Sequence, residues 1–445
     1  MSNSEQAKQW ICNVCGYKRI SATPPEVCPQ CGSEREHFET QASTGRRFVI
    51  AGAGIAGLSA AEAIRQADPS AEITLVSGEP RLPYFRMNLT RYLAGEVNRD
   101  QLDLHPQAWY RENHIDLQLI SPIVEVRPEQ KTVRLSDGRD FPYDTLLLTN
   151  GAHPFVPPIT GAQIPGVQTL RTLEDADAIL TAVAQPINVV CIGGGLLGLE
   201  VAGAISRRGA NVTVVESLAW LLPRQLDEPA SHILQAKIEA MGIHVIVGAR
   251  TQAFVGDGHV HSVHLEDGRE LPADLVVISA GVTPNLDLAR QAGLSVNRGV
   301  IVDEHMRTSN PDIYAAGDNA EFHGRLYGLW MPSRNEGTVA GRSAAGQDAV
   351  FTEDPPSARL KVLGIDLFSI GQITAQEGDQ VLAQQSDGNY ASFFFHEGKL
   401  AGAILLGDAS LAVPVQKAAD AHRDFSAELA KGLSAAEFMQ LLKSK

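Results

Sequence analysis

The sequence predicts an α/β protein with two doubly wound parallel sheets, a small α+β domain at its C-terminus and a small four-cysteine domain at its N-terminus. Three observations carry that expectation. A strand, glycine turn, helix, strand unit occurs twice, the two starts lying about 140 residues apart. Four of the five cysteines fall within the first 31 residues. The last portion, from about Leu360, contains a hairpin pattern followed by a helical tail, roughly Pro414 to Leu442.

Length and composition set outer bounds. At about 100–200 residues per domain, 445 residues imply two to four domains. The apolar fraction is 44% and the charged fraction 20%, as in ordinary globular proteins. The net charge of −15 repels phosphate backbones, so nucleic acid is not an expected partner. Met1 to Gln9 is polar and lacks the apolar stretch of a secretory signal. No run of 18 apolar residues occurs, so no membrane span is expected and a cytoplasmic location is. Cysteine clustering of this kind is not that of a secreted disulfide framework.

The first unit begins at Arg46. RRFVIA reads as a strand, GAGIAG as a turn, Leu58 to Gln66 as a helix and Glu72 to Ser77 as the next strand. Gly52, Gly54 and Gly57, with Ile55 and Ala56 between them, form G-x-G-x-x-G. The first glycine allows the tight turn, the second lets a pyrophosphate approach the backbone, and the third lets helix pack on strand. The helix N-terminus then offers free N–H groups and a favourable dipole to phosphate. The second unit repeats the design: INVVCI, then Gly193, Gly195, Leu196, Leu197 and Gly198, a helix to about Arg208, and the strand Asn211 to Glu216. Both sites are therefore expected to bind dinucleotides, on Rossmann-like domains.

An acid at the end of the second strand should accept hydrogen bonds from ribose hydroxyls. Glu216 stands there in the second unit, and its charge would oppose a 2′-phosphate, so NADH is preferred to NADPH. Arg224 is the nearby cation that could offset this. In the first unit the corresponding acid is Glu79, two residues past the strand.

Cys12-x-x-Cys15 and Cys28-x-x-Cys31 are separated by twelve residues, and a glycine follows each pair. Each C-x-x-C turn points two thiolates at one ion, and four sulfurs suit iron or zinc. Local spacing does not choose between them. The fifth cysteine, Cys191, lies inside an apolar strand and reads as an inert small hydrophobe.

The motifs GAGIAG, PYFRMNLTRYLAGE, TNGAHPFVP, GGGLLGLE, DIYAAGDNAE, GLW with EGTVAGRSAAG, and LKVLGIDLFSIG together resemble the pyridine-nucleotide-disulfide oxidoreductases. Within them they are most similar to the group of NADH:rubredoxin reductases, ferredoxin reductases and nitrite reductase flavin domains. The resemblance implies FAD at Gly52 to Gly57, with Arg86, Thr149, Gly151 and Asp318 approaching it. It implies NADH at Gly193 to Gly198, with Gly281 in the turn after the last strand of that unit. It places Glu200 beside the nicotinamide and Trp330 at the flavin edge. Arg91 stands where the group's pattern has lysine. WICNVCGY, PPEVCPQCG and HFE resemble the short rubredoxin of rubrerythrins, with Trp10, Tyr17 and Phe38 as an aromatic core; that resemblance, and fusion to a flavin reductase, favour iron.

The domain boundaries expected are 8–40 for the four-cysteine domain, 41–45 for a linker, 46–155 with 284–350 for the FAD domain, 156–283 for the NAD(P)H domain and 356–445 for a C-terminal interface domain. The implied activity is a short electron chain, from NADH to FAD, then singly to the four-cysteine iron, then to an external acceptor of flavodiiron, rubrerythrin or rubredoxin type. Cofactors carry the chemistry while the protein binds and orients. The linker's random-coil reach of roughly 12 Å keeps the knuckle near its own reductase or that of a dimer mate; monomer and homodimer are both compatible. The alternatives are an NADH oxidase or peroxidase of the same fold, and a redox sensor with structural zinc. The former usually needs a cysteine beside the flavin, and none is left over here.

Overall fold

The computed structural model describes residues 8–21, 23–40, 45–352, 357–360, 363–386 and 388–443. Residues 41–44 of the expected linker lie outside the described residues. At the N-terminus, β1 (Lys8–Cys12) pairs antiparallel with β2 (Lys18–Ser21) and with β3 (Phe38–Thr40). Cys12, Cys28 and Phe38 are its buried residues, with Trp10 and Tyr17 packed against them. The expected aromatic core therefore forms, but it is too small to fold by itself without a staple.

The first unit follows. It comprises β4 (Arg47–Ala51), α1 (Ile55–Ala67), β5 (Glu72–Val76), the short helix α2 (Leu89–Leu93), β6 (Ile115–Gln118) and β7 (Thr145–Leu148). The second contains β8 (Val167–Thr169), β9 (Asn188–Ile192), α3 (Leu196–Ser206), β10 (Asn211–Val215), β11 (His244–Ile246) and β12 (Leu275–Ile278). Later, β13 (Ile313–Ala315) returns to the first sheet and α4 (Trp330–Ala344) packs on α1. The first sheet has the order β13-β7-β4-β5-β6 and the second β8-β12-β9-β10-β11, every neighbouring pair parallel.

The duplication runs deeper than the turns. Each unit inserts a three-stranded antiparallel excursion, over residues 123–142 before β7 in one and 251–272 before β12 in the other. Residues 152–154 and 282–284, which leave β7 and β12, then pair antiparallel with each other. Both helices start inside their turns, with Gly54 and Gly195 as N-caps. That is three residues earlier in the first unit than the alanine-rich pattern predicts, because glycine propensity hides a helix start that backbone geometry supplies.

At the C-terminus, β14 (Ser357–Leu360), β15 (Leu367–Gly371), β16 (Gln380–Ser386), β17 (Asn389–His396) and β18 (Lys399–Leu406) form an antiparallel sheet of order β14-β15-β18-β17-β16. One face buries Phe393 and Phe395 against Phe425 and Phe438, with ring centroids 4.9–5.9 Å apart and edge-on. The other face carries Tyr390, Phe394, Ile404 and Leu406 into the core of the second unit. The expected helical tail is broken into α5 (Ala412–Asp420), α6 (Ser426–Leu429) and α7 (Ala435–Lys443). His422 (φ 45°) and Gly432 (φ 77°) take left-handed conformations at the breaks, which a continuous helix does not tolerate. Among the described residues no helix is long and apolar enough to cross a membrane.

Helices α1 and α4 touch through their backbones. A Cβ on Gly337 would fall 2.1 Å from the Ala56 carbonyl oxygen, and one on Gly341 2.5 Å from that of Ala60. Overpacking of this kind costs about 1–3 kcal/mol or more. Gly341→Leu should therefore lower the urea midpoint by an amount equivalent to about 2 kcal/mol or more, whereas Gly242→Ala, at an open positive-φ turn, should cost about 1 kcal/mol. Equal midpoints for wild type and Gly341→Leu would contradict the contact.

Candidate functional site

The two glycine turns are built alike. Gly52 has φ +109° and Gly193 φ +113°. A Cβ on Gly57 would lie 2.0 Å from the Gly52 carbonyl oxygen, and one on Gly198 2.0 Å from that of Gly193. The third glycine of each motif is therefore a packing requirement. By contrast, Cβ atoms on Gly54 and Gly195 would meet nothing within 4 Å. That open space, at the N-terminus of a helix, is what a pyrophosphate requires.

Around the first turn lies a cavity of about 1050 Å³, at the large end for a small-molecule site. Of the residues expected at FAD, Gly52, Gly54, Ile55, Ala56, Glu79, Arg86, Thr149, Gly151 and Asp318 line it. Gly57 sits behind it, and the Thr149 hydroxyl donates to the Gly52 and Ala51 carbonyls, tying β7 to the turn. Leu197, from the second unit, and Trp330, from the start of α4, complete the wall. Trp330 stacks with Phe85 at 6.0 Å, and its buried indole N–H has no hydrogen-bond partner. An orphaned donor on the wall of a cofactor-sized cavity is consistent with a bound group that accepts its hydrogen. The residues present therefore fit a flavin dinucleotide.

Charges on the wall are paired within the protein. Arg86 donates to the Glu79 carboxylate and to the Arg171 carbonyl oxygen, and the Tyr84 hydroxyl donates to Glu79 at 2.7 Å. Arg171 donates to Asp318 at 2.7 Å. Register puts Ser77, not Glu79, opposite the position of Glu216: each directly follows its strand, and Val76 and Val215 each accept from the first glycine of their turn. Nothing in the local pattern marks Arg171 or Ser333, and Tyr84 lies within PYFRMN without a role that its neighbours in sequence could suggest.

Beneath Asp318, α4 places Glu336, 1% exposed, where its carboxyl accepts from the Gly317 N–H at 2.7 Å. Burial pushes this carboxyl up to about 8, against the pull of that N–H, and the neighbouring Asp318 adds to the rise.

In the second unit, Glu216 is 8% exposed and accepts from the N–H groups of Gly194 (2.7 Å) and Leu218 (2.8 Å). It is thus fixed as a hydrogen-bond acceptor beside the turn. Gly281, φ +106°, has open space where a side chain would be. Arg224 is exposed. Glu200 is half-buried between α3 and α2, where the Thr90 hydroxyl donates to it at 3.0 Å; burial raises its pKa. It is not on the wall of the cavity, whereas Leu197, one turn earlier, is. Arg91 instead turns to Glu96 at 3.1 Å.

The four N-terminal sulfurs all lie within 4.8 Å of one another, with Cys12–Cys31 at 3.7 Å and Cys15–Cys28 at 3.6 Å. A tetrahedral ion with metal–sulfur bonds of about 2.3 Å needs sulfurs about 3.8 Å apart, so the set fits a metal. Gly16 and Gly32, at φ +76° and +74°, each return their N–H to the carbonyl of the first cysteine of the pair. The Ser33 hydroxyl, 3.1 Å from its sulfur, helps draw Cys31 down to about 6. Cys191 is fully buried and burial pushes it up to about 12, as expected of an inert thiol.

Residues 46–340 match the pyridine nucleotide-disulphide oxidoreductase family, residues 356–422 the rubredoxin NAD+ reductase C-terminal domain, and residues 10–39 the rubredoxin-like domain of rubrerythrin. The chain is 31% identical over 380 residues to an NADH-rubredoxin oxidoreductase of Clostridium acetobutylicum, covering 85% of this chain and 96% of that one. It is 36% identical over 383 residues to a nitrite reductase [NAD(P)H] of Bacillus subtilis, covering 84% of this chain and 48% of that one. The chain thus spans about half the length of the nitrite- and nitrate-reductase relatives it matches. Among solved structures, a ferredoxin reductase from Rhodopseudomonas palustris superposes with a TM-score of 0.77 at 30% identity, covering 84% of this chain and 94% of that one.

Glu336 gives the site a pH signature. Unfolded, it ionises near about 4.3; folded, it holds its proton to about 8. Its contribution is complete below the unfolded value and is lost as pH rises through the folded one. Between pH 5 and 8 the wild-type urea midpoint should therefore fall more steeply than that of Glu336→Gln, and the two should run parallel above pH 8. Parallel curves from pH 5 upward would mean that the carboxyl is not held protonated.

Proposed function

The chain belongs to the pyridine nucleotide-disulphide oxidoreductase family, and from that premise we propose that it is an NADH-dependent rubredoxin-type reductase that carries its own one-electron exit. FAD would occupy the cavity at the first turn, NADH the second turn and iron the four-cysteine knuckle, and an external redox protein would take the electrons away. The observation that carries this reading is the shared wall: Leu197, on the first turn of the second unit's helix, lines the same cavity as Gly52, Gly54 and Asp318. A nicotinamide led along α3 would end against the contents of that cavity.

The residues have distinct tasks. Gly54 and Gly195 leave room for pyrophosphates, and the helix N-termini behind them supply N–H donors and dipole. Glu216, anchored by two backbone N–H groups, would accept from ribose hydroxyls and repel a 2′-phosphate. Asp318 and Arg171 would hold the polar chain of the flavin, and Trp330 would cover its edge. When bound, FAD supplies the change from two-electron to one-electron transfer and iron a one-electron store. No general acid or base is required of the protein, and none is assigned. No cysteine is among the residues that line the cavity, and Cys191 is fully buried, so the thiol that a flavin-side peroxidase centre would use has no candidate there.

Anaerobic addition of NADH should bleach both the flavin and an iron–thiolate chromophore, with one NADH reducing two irons. Flavin bleaching with an unchanged iron spectrum, or zinc alone in protein made with ample iron, would overturn the electron chain. Glu216→Gln should lower the preference for NADH over NADPH by about tenfold, roughly 1.4 kcal/mol, read as the ratio of kcat/KM for the two nucleotides.

A further inference from the structure

We infer that the knuckle of one copy of this chain docks on the cavity mouth of a second copy, so that electrons leave in trans. This rests on the electron chain proposed above and specifies its geometry.

The tether attaches at the wrong end of the molecule for a self-docking knuckle. Gly45 is pinned: a Cβ there would fall 2.0 Å from the Ser70 carbonyl oxygen. Next to it, the Arg46 carbonyl accepts from the Glu72 N–H at 2.9 Å, and its guanidinium donates to the Thr145 hydroxyl at 2.9 Å. Ser70, Glu72 and Thr145 mark the N-terminal ends of β5 and β7. The cavity lies at the other ends of the same strands, at Ala51, Val76 and Thr149. Moreover β4 is the middle strand of five, with two strands on either side.

Lengths then decide. Thr40 to Gly45 spans at most about 18 Å fully extended. Cys12 pairs with Phe38, two residues inside Thr40, so the metal centre lies within about 12 Å of Thr40. The metal can therefore stand no more than about 30 Å from Gly45. To reach its own cavity mouth it must clear about 10 Å sideways, past two strands or a helix, climb about 23 Å and return. That path is about 40 Å. The mouth of a second copy has no such limit.

The two surfaces suit each other. At the mouth Met87, Met331 and Leu197 are 58%, 52% and 41% exposed around Trp330, and the Arg334 guanidinium lies 5.9 Å from the Trp330 ring centroid. On the knuckle Val14 and Val27 are 57% and 55% exposed beside the cysteine turns, Cys31 is exposed, and the Glu36 side chain is 76% exposed. An apolar centre with opposite charges at its rim is the usual composition of a specific interface. The balance is NADH plus two oxidised knuckle metals giving NAD+, a proton and two reduced metals, so each NADH serves two knuckles.

Two measurements test this. A benzophenone amino acid at position 331 should, on irradiation of mixed 15N-labelled and unlabelled protein, join Met331 of one chain to knuckle peptides of another. Adducts confined to single chains would overturn the inference. Placement is read this way whatever metal is bound. Second, Cys12→Ser (no complete metal site) and Gly195→Glu are co-expressed. At Gly195, φ −78° and open space accept a side chain that blocks the nucleotide. Neither variant alone should show NADH-driven iron bleaching. The co-expressed pair should bleach at a rate within about threefold of wild type, the deficit of random pairing. A pair about 100-fold slower than wild type, with a wild-type rate unchanged by dilution, is what transfer within one chain gives and overturns the inference while leaving the electron chain intact. Iron that stays oxidised in wild type as well would overturn both.

Discussion

Everything in the two nucleotide units depends on one close contact, the approach of a helix to the carbonyl of the glycine that opens its own turn. Only a missing Cβ at Gly57 and Gly198 allows it, since a Cβ would stand 2.0 Å from the oxygen in each case. The contact fixes where α1 and α3 begin, and hence where their free N–H groups point. It also leaves the second glycine of each motif in open space. Room for a pyrophosphate is thus a by-product of packing, and the same geometry appears twice because the same constraint does.

The first unit adds a second layer of the same kind. Gly337 and Gly341 bring α4 against the backbone of α1, and α4 carries Ser333 and Trp330 to the cavity and Glu336 beneath the Asp318 turn. Gly317, at φ +90° and 3.0 Å from the Ala56 Cβ for a substituent, lets the turn holding Asp318 lie over the same helix start. The cavity is therefore a junction of three backbone segments, each admitted by a glycine. A side chain placed at any of these contacts would act on the cavity from a distance.

Much of this was legible in the sequence because it is local. A strand running into G-x-G-x-x-G, an acid after the next strand and paired C-x-x-C turns each occupy a few consecutive residues, and the fold class followed from their repetition. The rest depends on pairing across the chain. Arg171 meets Asp318 over 147 residues, Thr90 meets Glu200 over 110, and Glu336 reaches Gly317 only because α4 lies where it does. Glu79 shows the limit of spacing rules: it lies near the expected position, yet Arg86 and Tyr84 hold its carboxylate, and Ser77 takes the register position of Glu216. The broken tail was illegible for a simpler reason, since nothing in its composition signals the left-handed residue His422.

The fold also constrains the proposed exit of electrons. In a parallel sheet every strand enters from one side and every ligand site forms on the other. An extra domain joined directly ahead of the first strand therefore starts on the face opposite the chemistry. A long linker would remove the conflict, but Gly45 is pinned at the bottom of the sheet and only four residues separate it from Thr40. If it serves as the electron exit, a domain appended in this way is poorly placed for the cavity of its own chain and well placed for that of a neighbour. On the proposed electron chain, the N-terminal fusion would then raise the local concentration of an acceptor for a neighbouring copy rather than act as a wire inside one chain.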